Sequence, residues 1–523
     1  MTENAFSETA ASLLRHVPAD CAAIADRGPQ AASRRALYLR QNPRTRYLAL
    51  GGEALPPGSA PECLIYDGVP ESVLPDLIAA DLPALADDGL VVLSLPNLQH
   101  WQSFQALMAG RPPAPGMSQE SALDLVRRLG LVPYDVQPLG IAPEGDAFLQ
   151  ALMPAAQAAG LNVPLFIARA RGERLLVRAG KAPLRPIVLQ AMTLRPVAAC
   201  NDVRIDLPLG LMARRPGTVI DVHPQEATLN VAPEVRNRIF IWHRPIHTAG
   251  DLPRLRQVLA RGYLMITEFD DHPMVWPTIA EHDHLTFRGV HAVQTSTPPL
   301  AGLLSEYNSE IAIFANAMAS LAPLPAKAEE GPVTLFFGAL NRARDWQPLL
   351  PALNAVLRSR RGLVRMGVVH DRELFEALDT GDKTFMPLSP YDTYLEALRA
   401  ADINLMPLED RAFTRMKSDI KFIESAAMGA VALASSTVYA ATLKDGETGM
   451  LFHSPEEMQA ALLRLIDDAP LRRRIAGQAY AYVRDERMLA YQLKARLDWY
   501  RGLLERRDEL TRRLYERVPQ LRP

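Results

Sequence analysis

The sequence predicts an α/β protein built from several mostly parallel sheets, on three observations. Short apolar runs alternate with helical patterns through most of the chain. Polar clusters fall just after the C-terminal ends of several runs, where open α/β sheets bind ligands. Two stretches rich in charge and proline, 180–186 and 322–332, read as linkers. A length of 523 residues fits three domains or two large ones. The expected divisions are 1–180, 187–325, 333–485 and a C-terminal helical segment, 486–523.

Composition excludes several classes. The formal net charge is −2 and the basic residues are dispersed, so nothing points to nucleic acid. Cys21, Cys63 and Cys200 show no paired spacing, which excludes a disulfide framework and a cysteine zinc site and suits a reducing compartment. No apolar run is long enough to span a membrane, and the first residues lack a leader pattern. A cytoplasmic protein is expected, and peripheral contact with a membrane stays open.

In the first third, strands are predicted at 22–25, 47–50, 63–66 and 90–95. The run 87–101 resembles the late strand of class I S-adenosylmethionine methyltransferases. That resemblance implies a glycine-rich cofactor loop at 26–32, where only Asp26 and Gly28 match the family pattern. Gln30 and Ala32 place side chains where the backbone must approach the cofactor, and Pro29 lacks an amide donor. Gly51 stands where the ribose-binding acid is expected, and Glu53 comes two residues late. The implied domain is degenerate, and S-adenosylmethionine is not expected to bind.

After the first linker, strands are predicted at 187–192, 218–222, 238–242, 264–269 and 291–297, with a helix starting near 206. His223, His243–Arg244 and Asp270-Asp271-His272 follow strand ends, as ligand-binding or merely loop-polar groups. Asp270-Asp271-His272 with Glu281-His282-Asp283-His284 offers metal-ligand types, but the spacing matches no standard motif, and no metal is expected.

In the last third, the run 333–346 reads as a strand, then a glycine turn at Phe337-Gly338, then basic residues, Arg342 and Arg344, entering a helix. That order suits a diphosphate over a helix N-terminus. Strands follow at 363–369 and 402–408, with a helix at 391–401 between them. Then comes Lys417-Ser418-Asp419-Ile420-Lys421-Phe422-Ile423-Glu424, a helix with Ser418 as N-cap and Gly429 as its terminator. At about 100° per residue, Lys417, Lys421 and Glu424 share a face, suiting a phosphate followed by a sugar diol or a salt-bridged surface helix. A charged helical pattern from 487 to about 518 offers Leu489, Leu493, Leu497, Tyr500 and Leu504 for one face.

Phe337-Gly338, Arg342, Arg344, the run from Lys417 to Glu424, and Gly446-x-x-Gly449, in that order, resemble the donor half of GT-B glycosyltransferases, nearest the retaining family-4 group. The preceding domain, with Glu268-Phe269-Asp270-Asp271 and Phe314-Ala315-Asn316-Ala317, resembles their acceptor half. The resemblance spans about residues 187–500 and implies two Rossmann-like domains in GT-B arrangement. It gives Glu424 the role of ribose ligand and Arg344 that of diphosphate neutraliser. The family's arginine falls on Ala339, so Arg342 is the substitute. The family's sugar-contacting glutamate falls on Met416.

The resemblance thus implies a metal-independent, retaining glycosyltransferase using a UDP- or GDP-sugar and a glycan, lipid-linked or protein acceptor. Cell-surface polysaccharide or glycoconjugate synthesis is the implied setting. Arg344, Lys417, Asp270 and Asp271 are the candidate catalytic groups, with His243 also near hydroxyls. Arg342, Arg344, Lys417, Ser418, Lys421, Glu424 and Gly338 are the candidate donor-binding groups. The alternatives are a bifunctional methyl- and glycosyltransferase and a non-catalytic assembly protein built from degenerate enzyme domains.

Overall fold

A computed structural model describes residues 10–141, 143–160, 162–194, 199–327, 331–338 and 340–523. The chain forms two compact units. The first ends at Pro186 and takes in Leu211–Thr218; the second holds Ile187–Gly210 and Val219–Pro523. Among the described residues, three six-stranded sheets carry the fold, one in the first unit and two in the second.

The first sheet is built from β1 (Ala23–Asp26), β2 (Arg46–Ala49), β3 (Cys63–Asp67), β4 (Leu90–Pro96), β5 (Val132–Ile141) and β6 (Gly172–Gly180), in the order β2-β1-β3-β4-β6-β5. Strands β1 to β4 pair in parallel, and β6 runs antiparallel to both neighbours. The buried run Leu90–Leu95 is apolar on both faces apart from Ser94, as a strand with both faces covered requires. The β5–β6 pair was not anticipated. Pro133 and Pro138 argue against a central strand, and β5 lies at the sheet edge, where proline is tolerated.

The second sheet comprises β7 (Ile187–Thr193), β8 (Thr218–Pro224), β9 (Arg238–His243), β10 (Leu264–Glu268), β11 (Ala292–Thr295) and β12 (Ile311–Ile313), ordered β12-β11-β10-β9-β7-β8. The helix expected near 206 starts earlier, as a wide turn over Asp202–Asp206 that continues into Leu207–Met212. The third sheet comprises β13 (Val333–Gly338), β14 (Val364–Val369), β15 (Lys383–Met386), β16 (Ile403–Met406), β17 (Val431–Ser435) and β18 (Met450–Phe452). Its order, β15-β14-β13-β16-β17-β18, reverses between β13 and β16, and all its pairs are parallel. Such a reversal opens a crevice at the carboxyl ends of the two central strands. In the second sheet the same reversal lies between β7 and β9.

Two local expectations are corrected. The helix predicted from Ser418 begins at Ile420 and runs to Met428, with Asp419 in the N-cap position. Ser418 does not cap it; its hydroxyl accepts from Asn316 Nδ2 at 2.7 Å instead. Gly429 ends the helix as expected, with φ +76°, and a Cβ there would stand 3.0 Å from Leu324 and Pro325. The C-terminal helical stretch breaks into Ala490–Glu505 and Arg507–Arg517, and Leu503 rather than Leu504 joins its buried face. Leu514, Val518 and Leu521 pack into the same core as Phe240 and Trp242 of β9.

Candidate functional site

A cavity of about 280 Å³ lies in the second unit, between the carboxyl ends of its two sheets. From the third sheet come Gly338, at the end of β13, and Arg342, just beyond it. Lys417, Ser418, Lys421 and Glu424 enter from the 420–428 helix and the turn before it. From the second sheet come Arg244 after β9, Asp270 and Asp271 after β10, and Arg204 from the wide turn. Gly338 is needed for close approach: a Cβ there would fall 2.7 Å from both Phe336 and Tyr394.

Glu424 is 1% exposed, and Tyr391, Tyr394 and Lys421 are among its partners. The Tyr394 hydroxyl donates to it at 3.2 Å, and Lys421 Nζ stands 3.4 Å away. Lys421 also lies 2.9 Å from the Tyr394 hydroxyl oxygen and 4.1 Å over its ring. Burial and the Glu424 charge together push the Tyr394 phenol well above its usual range. The helix therefore presents a buried carboxylate beside an ammonium, with apolar residues on its other faces.

The second-sheet side is charged and mostly shielded. Burial would raise the Asp270 carboxyl, but the Arg244 guanidinium, with Nε at 2.6 Å, holds it below the usual carboxylate range. Lys417 donates to Asp271 at 3.2 Å and sits 4.5 Å over the Phe413 ring. Burial lowers the Lys417 ammonium, against the pull of Asp271. Arg204, 1% exposed, pairs with Glu268 at 2.8 Å and donates to Asn316 Oδ1 at 2.7 Å. Asn316 in turn donates to Ser418, so one hydrogen-bonded chain links the second sheet to the turn that carries Lys417.

The structure thus brings together Gly338, Arg342, Lys417, Ser418, Lys421, Glu424, Asp270 and Asp271 around one cavity. Arg344 is apart from them: it is exposed, on the short helix Ala343–Trp346, and does not line the cavity. Arg342 lines it and donates to Asp345 at 3.3 Å. Ala339 lies outside the described residues. Met416 packs on the apolar core that contains Phe269 and Leu514 and does not line the cavity. The Gly446–Gly449 turn closes on itself, with the Gly446 amide donating to the Gly449 carbonyl at 2.8 Å, and likewise does not line it.

His243 is 2% exposed, with Nε2 at 3.5 Å from Cys200 Sγ, and burial lowers its pKa to about 4. It therefore stays neutral at physiological pH. Cys200, His243 and Asp270 offer a thiol, an imidazole and a carboxylate within 4.8 Å of one another, a ligand set that Arg244 shares by pairing with Asp270. The looser metal reading does not assemble. His272 accepts from the Met274 amide, His284 stacks on Tyr307 at 3.9 Å, and Asp283 pairs with Arg288. His223 pairs with Asp221 at 2.6 Å, away from the cavity lining.

In the first unit, the carboxyl edge of the sheet is filled by the chain itself. Arg34 donates to both oxygens of Asp26, at 2.7 and 2.8 Å, and to Asp67 at 2.7 Å. Tyr47 donates to Asp26 at 2.6 Å. A Cβ on Gly28 would collide with the Arg34 guanidinium, so the surviving loop glycine makes room for a side chain.

Sequence reasoning passed over Arg204 and Tyr394, and it named Arg244 in a strand-end cluster and Asn316 within the acceptor-half resemblance without giving either a site role. Only Tyr394, beside Tyr391 at the start of a helix that follows a strand, left a local signal.

Residues 365–498 match the family described as "Glycosyl transferase-like". No curated protein matches the chain. Among solved structures, TarM of S. aureus is 9% identical with a TM-score of 0.41, covering 51% of this chain and 55% of TarM. Sucrose-phosphate synthase of Thermosynechococcus elongatus is 13% identical with a TM-score of 0.46, covering 61% of this chain and 100% of the other. HepE of Anabaena is 13% identical with a TM-score of 0.43, covering 59% and 98%. The chain spans only about half the length of TarM. Lys417, Lys421 and Glu424 lie within the stretch that matches this family.

Proposed function

We propose that the chain is a glycosyltransferase of GT-B type, transferring a sugar from a nucleoside diphosphate donor to a glycan, lipid-linked or protein acceptor. The observation that carries the reading is the convergence of Arg342, Lys417 and Lys421 with the buried Glu424 on one cavity at the strand-order reversal of the third sheet. Glu424 would hold the ribose diol. Arg342, Lys417 and Lys421 would neutralise the diphosphate as charge builds on the leaving group, a preorganised electrostatic task that fixed cations can perform without a metal. The acceptor hydroxyl would lie toward Asp270 and Asp271, where the cavity walls limit water. Arg344, exposed as it is, fits a supporting role at the entrance.

A retaining outcome follows from the family-4 resemblance alone. The first unit fits a degenerate methyltransferase-like domain kept for docking or acceptor binding, since Arg34 takes the space that a cofactor's backbone cradle would leave open. A UDP- or GDP-sugar is the expected donor, and a cytoplasmic location, with membrane contact at the surface, the expected setting.

The test is a thermal-shift screen across UDP-, GDP-, CMP- and dTDP-sugars, with Glu424→Gln as control. Stabilisation by one nucleotide series, lost in the variant, supports the reading. No stabilisation by any of them would overturn it. Met416 favours one rival, a non-catalytic assembly protein, because an apolar side chain stands where the family's sugar carboxylate belongs. A donor-dependent product would dispose of that rival.

A further inference from the structure

The second sheet carries another cavity, of about 160 Å³, separate from the one just described. Its walls include Phe240 and Trp242 of β9, Arg254 and Gln257 of helix Leu252–Ala260, Arg261 just after that helix, and Asn230. Neighbouring residues of a strand point to opposite faces. Trp242 therefore faces this cavity, while His243 beside it reaches Cys200 in the cleft.

The wall chemistry is one-sided. Two guanidinium groups line the cavity and no acidic residue does. Arg254 lies 5.0 Å over the Trp242 ring and, among the described residues, donates to the Met192 sulfur, a weak acceptor, at 2.8 Å. Arg261 donates to Asn230 Oδ1. Trp242 is 1% exposed, and its indole N–H has no hydrogen-bond partner among the described residues. Buried donors are normally paired, so this residue of the cavity wall keeps an unused donor. Phe240 and the aliphatic wall give the same cavity an apolar side.

We propose that this cavity binds a single sugar unit bearing an oxyanion, either a carboxylate or a phosphate. Arg254 and Arg261 take the anion in fork geometry, which suits both groups. The Trp242 N–H, Gln257 and Asn230 serve the ring hydroxyls. At about 160 Å³ against about 280 Å³ for the cleft, the volume suits a single sugar ring rather than a nucleotide. This site does not rest on the reading of the cleft. Its ligand has two sources, an acidic unit of a longer saccharide or a free sugar acid or sugar phosphate.

The test is calorimetry on the full chain with glucuronate, glucose 6-phosphate, glucose and inorganic phosphate. Both charged sugars are expected to bind, with glucose and phosphate at least about tenfold weaker, since one charge-assisted hydrogen bond is a tenfold effect or more. Arg254→Gln and Arg261→Gln, both at exposed positions, should each weaken the charged sugars about tenfold. Trp242→Phe should weaken them by a smaller factor. Nucleotide binding in the cleft should be unchanged in all three, which separates failure here from failure there. An acidic oligosaccharide that binds tighter than its monosaccharide identifies the first source, and equal binding identifies the second. Absence of binding by either charged sugar would overturn the proposal. So would binding that survives both arginine substitutions, or phosphate binding as well as the sugar phosphate, the mark of an adventitious ion only.

Discussion

Lys417 and Asp271 meet at 3.2 Å, joining the turn before the 420–428 helix to the end of β10. Both side chains are mostly shielded, with 19% and 15% exposure. If the diphosphate recruits Lys417, it must first draw the ammonium from Asp271. Removing that competitor should tighten nucleotide binding. A partly shielded ion pair contributes about 1 kcal/mol, so Asp271→Asn should raise UDP or GDP affinity about fivefold while lowering transfer. Lys417→Gln should lower the same affinity about tenfold or more. Calorimetry on the two variants checks this; unchanged affinity in both would separate Lys417 from the diphosphate.

Glu424 makes a sharper case because it is buried. Glu424→Gln keeps the shape and removes the charge that Lys421 and Tyr394 face. Nucleoside diphosphate affinity should fall about tenfold or more. A double cycle assigns the cause. If Glu424 holds the ribose diol, deleting a ribose hydroxyl should weaken the natural protein and have little effect on the variant. Additive losses would place Glu424 elsewhere.

The α/β architecture was legible because parallel strands covered on both faces read as apolar runs, and the strand starting at Val333 was expected where it is found. The antiparallel β6 was missed because Glu173, Arg174 and Arg178 break its apolar run. Lys421 and Glu424 were legible because helical spacing is local. Arg204 was not, nor was the contact that Asn316, named in the resemblance, makes with Ser418 across 102 residues, since no spacing rule reaches that far. The N-cap error has a similar origin. Ser418 and Asp419 are both good capping residues, and neither caps. Asp419 instead pairs with Arg487, 68 residues on, at 2.5 and 2.8 Å, and Ser418 accepts from Asn316.

In the first unit, Arg34 is fully buried between Asp26 and Asp67. Arg34→Met would leave two shielded carboxylates with reduced compensation, a change that typically costs about 3–5 kcal/mol. Urea unfolding of the variant should show that loss, and calorimetry of the natural protein with S-adenosylmethionine should show no binding. Binding of the cofactor would restore the bifunctional alternative.

The last prediction concerns pH and rests on three buried imidazoles of the second unit. Burial lowers His243 and His247 to about 4 and His291 to about 3, from an ordinary value of 6.5. His243 faces Asp270, which opposes the shift, and Arg244 and Arg204, which reinforce it. His247 faces Asp251, which opposes it, and Arg254, which reinforces it. Arg517 and Arg507 act on His291 in the same downward sense, and its Nδ1 accepts the Met265 amide at 2.9 Å, a bond available to the neutral ring. Between the folded and unfolded values the unfolded chain binds more protons, so stability rises with pH in that window. The contribution is complete above about 6.5 and is lost as pH falls toward 4. At pH 5 each histidine should have given up on the order of 2 kcal/mol, a sizeable part of an ordinary folding free energy. Urea midpoints measured at pH 7.5, 6 and 5 should therefore fall steeply over the last step. His291→Asn retains an acceptor for the Met265 amide without a proton site, so its acid slope should be shallower than that of the natural protein. A midpoint that stays level from pH 7.5 to 5, or a slope untouched by the substitution, would show that these imidazoles do not control the acid limb.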